Sequence, residues 1–118
     1  MSLGKEQRTS PRFDFGLKVV LFKSGESYFT KDISLRGCFL PACQVFGLND
    51  KVDLAIDVPG FGYVFVTGEA RHLANGGTGI MFLSFKDLKA KGALEEFLNI
   101  VSLCEESSED SGLRWLDA

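Results

Sequence analysis

From Phe15 to Phe85 the chain is written in short segments of period two, each ended by turn residues, and this punctuation limits the fold more than any other feature. Phe15–Phe22 and Tyr28–Ser34 are rich in β-branched and aromatic residues and flank Lys23-Ser24-Gly25-Glu26, which predicts two strands joined by a turn. Leu35-Arg36-Gly37 predicts a tight connection into a short strand, Cys38–Leu40, that stops at Pro41. Lys51–Val58 sets Val52, Leu54 and Ile56 in alternation with Asp53 and Asp57, the pattern of a strand with one wet face. After a Pro59-Gly60-Phe61-Gly62 turn, Tyr63–Leu73 and Thr78–Phe85 form the longest expected hairpin. They are joined by Ala74-Asn75-Gly76-Gly77, where Asn and Gly tolerate positive φ. Six strands in such close succession predict a closed barrel.

Beyond Phe85 the period changes. Leu88, Leu94, Phe97, Leu98 and Val101 recur at helical spacing, with Ser84 or Asp87 available as a cap and Gly92 weakening the first half. The expected fold class is therefore all-β with a terminal helix: a six-stranded antiparallel β-barrel with an extended N-terminal arm and a C-terminal α-helix. A chain of 118 residues has room for one domain, and its eleven Phe favour a packed core over disorder. The expected divisions are an arm at 1–12, the barrel and helix at 13–103, and an acidic, serine-rich tail at 104–118 that is expected to be flexible.

Several functional classes are disfavoured. No apolar run reaches the ~18 residues of a membrane span, and the amino terminus has no export signal, so a cytoplasmic protein without membrane insertion is expected. Cys38, Cys43 and Cys104 form no C-x-x-C pair and have only His72 as a further soft ligand, so neither a disulfide framework nor a metal site is expected. Arg71-His72 comes without a partnering base or nucleophile, and no enzyme chemistry is expected. The net charge of -3 argues against a nucleic-acid polymer as partner, including a single strand on a barrel face. Yet residues 1–40 hold seven Lys or Arg against four Asp or Glu, so one end of the chain is locally basic. A small anion needs no more than such a patch.

The basic end carries Arg8-Thr9-Ser10-Pro11-Arg12, followed about twenty residues later by Asp32-Ile33-Ser34-Leu35-Arg36-Gly37. Pro11 pushes Ser10 toward extended geometry, and two like charges at i, i+4 would repel on a helix, so an extended arm is expected. Its two guanidinium stems then lie up to ~13 Å apart on one side of the chain. Asp32 and Ser34, two apart on a strand, leave from one face, against which the arm can return. Forked cations, a hydroxyl donor and a carboxylate form the inventory that a small anionic dinucleotide requires. Hydrogen-bonded turn roles for Asp32 and Ser34 are compatible with this inventory. Gly37 is expected to supply a backbone conformation or a close approach that a Cβ would obstruct.

These two motifs, in this order and separation, resemble the signature of the PilZ family, R-x-x-x-R followed by D/N-x-S-x-x-G. Thr78-Gly79-Ile80-Met81-Phe82 is similar to a glycine-hydrophobic strand near the end of that family's barrel. The resemblance spans roughly residues 5 to 103. It implies a bacterial receptor for cyclic di-GMP in which Arg8 and Arg12 grip phosphates and guanine edges, Asp32 accepts from guanine N–H groups and Ser34 donates toward a phosphate. Gly37 completes the motif. Arg36 is a possible auxiliary contact, and Gln7 stands where many relatives carry a further arginine; both one ligand and a stacked pair remain open. Cyclic di-GMP would be a ligand, with no cofactor, and an unidentified protein effector would receive the signal. The alternative reading is a PilZ-like interaction module that binds no nucleotide.

Overall fold

A computed structural model describes residues 16–104; Gln7, Arg8, Arg12 and the acidic tail from residue 105 onward lie outside the described residues. Among the described residues seven strands and one helix follow in order: β1 (Lys18–Leu21), β2 (Ser27–Phe29), β3 (Asp32–Ile33), β4 (Gly37–Leu40), β5 (Lys51–Val58), β6 (Gly62–Ala74), β7 (Gly77–Phe85) and α1 (Leu88–Cys104). They form one sheet in the order β2-β1-β5-β6-β7-β4-β3, and every adjacent pair is antiparallel.

The expected six strands become seven because 28–34 does not run through as one. The Thr30 N–H donates to the Leu17 carbonyl at 3.0 Å, whereas the next amide, Lys31, donates to Phe39 at 2.9 Å. One peptide step therefore changes partner, from the β1 side to the β4 side. The Thr30 hydroxyl fixes this corner by accepting the Leu17 amide at 3.0 Å. Since β2 and β3 are the two ends of the strand order, the corner joins them and rolls the sheet into a barrel.

Alternation fills the barrel. Val19 and Leu21 of β1, Val52, Leu54, Ile56 and Val58 of β5, and Val64 and Val66 of β6 point inward and are buried. The β6–β7 hairpin turns on Asn75 and Gly76 alone, with φ of 54° and 74°. Two positive φ values make a type I′ turn, whose twist suits antiparallel strands and which Asn-Gly adopts at least cost. The helix begins where the Asp87 carboxylate accepts the Ala90 amide at 2.7 Å, so Asp87 is the cap and not Ser84. Ala90, Leu94, Leu98 and Val101 join the barrel core. Leu88, expected to point inward with them, is 84% exposed: the first residue after the cap lies on the outer side of the helix, and Ala90 takes the inward place.

Cys38 and Cys43 are buried free thiols packed in the core. Among the described residues no helix is long and apolar enough to cross a membrane, and no three His, Cys, Asp or Glu side chains gather as a metal site.

Candidate functional site

The D-x-S-x-x-G segment forms the β3–β4 hairpin. Ile33 and Cys38 face each other across it and point into the core, so the neighbouring pair, Asp32 and Phe39, points to the outer wall. The register carries that row onward: Phe39 pairs with Gly79 of β7, and Gly79 pairs with His72 of β6. The two-residue turn sets this pair by unbroken register, and a bulge between Ala70 and His72 then takes Arg71 out of the ladder. The result is one line across four strands, Asp32, Phe39, Gly79 and His72. Beside it, two residues along β4 and β7 and, across the bulge, three along β6, Gly37 pairs with Met81 and Met81 with Glu69.

Asp32 is fully buried and Ser34 nearly so, at 1% exposure. The Ser34 amide donates to the Gly37 carbonyl at 2.9 Å, closing the turn over Leu35 and Arg36. Its hydroxyl accepts the Arg36 amide at 3.0 Å. This leaves the hydroxyl hydrogen oriented as a donor. The Arg36 carbonyl in turn accepts the Phe82 amide at 2.7 Å, which ties the turn to β7. The Asp32 carboxylate also marks its surroundings electrically. Burial, and after it the negative charge of Asp32, pushes the Cys38 thiol well above the usual range, so Cys38 stays a neutral packing group.

The structure thus brings Asp32, Ser34 and Gly37 together on one hairpin. Gly37 lies within β4 and is not among the described glycines of positive φ, so the expected conformational demand is not what places a glycine there. Arg36 has a half-buried side chain that lines a groove against β7 and α1. Gln7, Arg8 and Arg12 lie outside the described residues.

Sequence reasoning did not place Phe39, Gly79 and His72 at this wall. The Phe39 and His72 rings lie 6.5 Å apart at 57°, and His72 is half-buried rather than a solvated surface residue. The Asn75-Gly76 turn was the available signal: counting pairs back from it leads directly to His72 opposite Gly79, before the bulge at Arg71 shifts the register by one.

The chemistry of the wall is that of a platform. Two buried strand glycines, Gly37 and Gly79, lie between a carboxylate, a hydroxyl and an aromatic ring. A carboxylate accepts from N–H groups, and a glycine presents backbone without a Cβ. Fold and wall together define a small antiparallel barrel that presents a polar hairpin motif on its outside. The PilZ domain family model matches residues 6–99, and the chain belongs to that family.

Solved structures agree on the fold. The Bacillus subtilis inhibitor of motility, MotI/DgrA, is similar at a TM-score of 0.74 and 15% identity, over 84% of this chain and 52% of that one. MrkH, described as a c-di-GMP-dependent transcription regulatory factor, has a TM-score of 0.64 and 20% identity, over 81% and 51% of the two chains. The PilZ domain of CeSA from a cellulose-synthesizing bacterium has a TM-score of 0.55 and 12% identity, over 77% and 97%. The present chain spans about half the length of MotI and of MrkH. No curated protein matches the sequence.

Proposed function

We propose that the protein is a bacterial, cytoplasmic receptor for cyclic di-GMP that performs no catalysis. The outer wall of β3 and β4 holds the base and phosphate contacts of Asp32 and Ser34, and the arm carrying Arg8 and Arg12 supplies the cations. One observation carries the reading. The described chain enters beside the motif: the Leu17 amide and carbonyl both bond to Thr30, two residues before Asp32. At strand rise, Arg12 is then within about 17 Å of that anchor and Arg8 within about 30 Å. Both halves of the signature can reach one ligand of dinucleotide size.

On this reading the ligand draws the arm onto the wall, and the ordered arm presents a changed surface to a protein effector. Ordering costs conformational entropy of ~1 to 2 kcal/mol per backbone residue, while a hydrogen bond to a charged group returns ~1.5 to 3 kcal/mol. Several contacts must act together, and removing one should be readily measurable. Calorimetric titration with cyclic di-GMP tests this. The expected result is saturable binding, weakened on the order of tenfold to a hundredfold by Arg8→Ala or Arg12→Ala. Binding unchanged in both variants would overturn the assignment.

A further inference from the structure

The outer face of β2, β1, β5 and the first half of β6 is aromatic in a way that the core does not require. Five aromatic side chains are exposed among the described residues, Phe22, Phe29, Phe61, Tyr63 and Phe65, at 40% to 64%. Phe61 sits in the β5–β6 turn, and the other four stand on this face: their neighbours Leu21, Tyr28, Val64 and Val66 pack in or against the core, so alternation turns them out. The Phe22 and Phe65 rings already touch, with centroids 5.5 Å apart. Four such side chains, each about half open, leave roughly 400 Å² of apolar surface on one side of the sheet. That suits the apolar centre of an interface burying about 800 Å² per partner.

The charges on this face select the partner. Lys18 pairs with Phe29, Asp57 pairs with Tyr63, and continuing the Val19–Ile56 register by one step sets Lys18 beside Asp57. One row across β2, β1, β5 and β6 therefore reads Phe29, Lys18, Asp57, Tyr63: aromatic, cation, anion, aromatic. Turned end for end, this row is its own complement. A two-fold axis parallel to the strands and passing between β1 and β5 lays Phe29 on the partner's Tyr63 and Lys18 on the partner's Asp57, and the reverse. In the next row the same axis sets Val20 against the partner's Ala55. Charges of alternating sign then meet at the centre, flanked on both sides by aromatic rings. We infer that this face joins two copies of the chain in an isologous dimer, sheet packed on sheet. A nucleic-acid strand would instead meet the carboxylates of Asp53 and Asp57, and a segment of one charge sign would oppose half of the central pair. The face lies apart from the Asp32 wall of β3, β4 and β7, so the dimer does not depend on the receptor reading.

Sedimentation equilibrium of the full chain tests this, and a monomer–dimer equilibrium that follows concentration is expected. Lys18→Glu sets like charge against the partner's Asp57, and Asp57→Lys sets like charge against the partner's Lys18. Each variant alone should raise the dissociation constant about tenfold or more. Mixed in equal amounts, the two should associate again, because each then supplies the charge that the other lacks. Recovery in the mixture also shows that both variants are folded. Phe29→Ser should weaken the dimer about as much, with no recovery on mixing with either charge variant. A parent chain that stays monomeric up to about 1 mM would overturn the inference. So would a dimer indifferent to all three variants, or a mixture of the two charge variants that associates no better than its components.

Discussion

The Ser34 hydroxyl accepts the Arg36 amide at 3.0 Å, so a residue of the proposed nucleotide wall also shapes the turn that reaches the groove beside the helix. Two roles meet in one side chain, and substitution separates them. Ser34→Ala leaves the part-buried Arg36 amide without that acceptor and should cost about 1 kcal/mol of stability by urea denaturation. It should also weaken cyclic di-GMP by removing a donor. Ser34→Thr keeps the hydroxyl and should restore most of both quantities. An alanine variant with unchanged stability would remove the turn role.

Two glycines should respond in opposite directions to alanine. A Cβ at Gly77 would stand 2.6 Å from Phe39 Cζ and 2.7 Å from the Leu40 carbonyl oxygen, where the start of β7 lies beside the end of β4. Phe39 belongs to the wall, and it cannot yield without disturbing the row that holds Asp32. Gly77→Ala should therefore destabilise by about 1 to 3 kcal/mol. At Gly92, in the exposed side of the helix, a Cβ would meet nothing within 4 Å. Gly92→Ala should stabilise by up to about 1 kcal/mol through helix propensity. Thermal unfolding of the two variants beside the parent chain checks both signs.

The helix cap offers a third check. The Asp87 carboxylate satisfies the Ala90 amide, one of the donors that the first helical turn cannot pair internally. Asp87→Ala should cost about 1 kcal/mol, and Asp87→Asn or Asp87→Ser should recover most of it. Equal loss in all three by denaturant titration would contradict a capping role.

These positions also show what the sequence could carry. The β5 bounds were legible as Lys51–Val58 because alternation and flanking turns are local, and the Asn75-Gly76 turn was legible because positive φ selects those residues. The hairpin formed by Asp32 to Gly37 followed from its turn chemistry. The break at Thr30 was not legible, because nothing local distinguishes a strand that keeps its neighbour from one that exchanges it; the exchange is decided by Leu17 and Phe39, distant in sequence. Leu88 misled for a different reason: at about 100° per residue it stands roughly 120° around the helix from Leu94, six residues on, so it never shared the inward face of Leu94 and Leu98. The line from Asp32 to His72 depends on three registers, none of which a period reveals.

The phenol of Tyr28 gives a prediction in pH. Its hydroxyl donates to the Glu26 carboxylate at 2.9 Å, and this bond, together with partial burial, pushes the phenol up to about 12 from its ordinary 10.0. The bond exists only while the phenol keeps its proton. Its contribution to folding is therefore fully present below pH 10.0 and is lost as pH rises through about 12, because the unfolded chain releases that proton first. In a Tyr63→Phe background, where Tyr28 is the remaining tyrosine, the tyrosinate absorbance should rise with a midpoint near 12. Glu26→Ala removes both the acceptor and the negative charge, and should move the midpoint back toward 10.0. A midpoint that does not respond to Glu26→Ala would mean that the β1–β2 turn does not hold this pair together in solution.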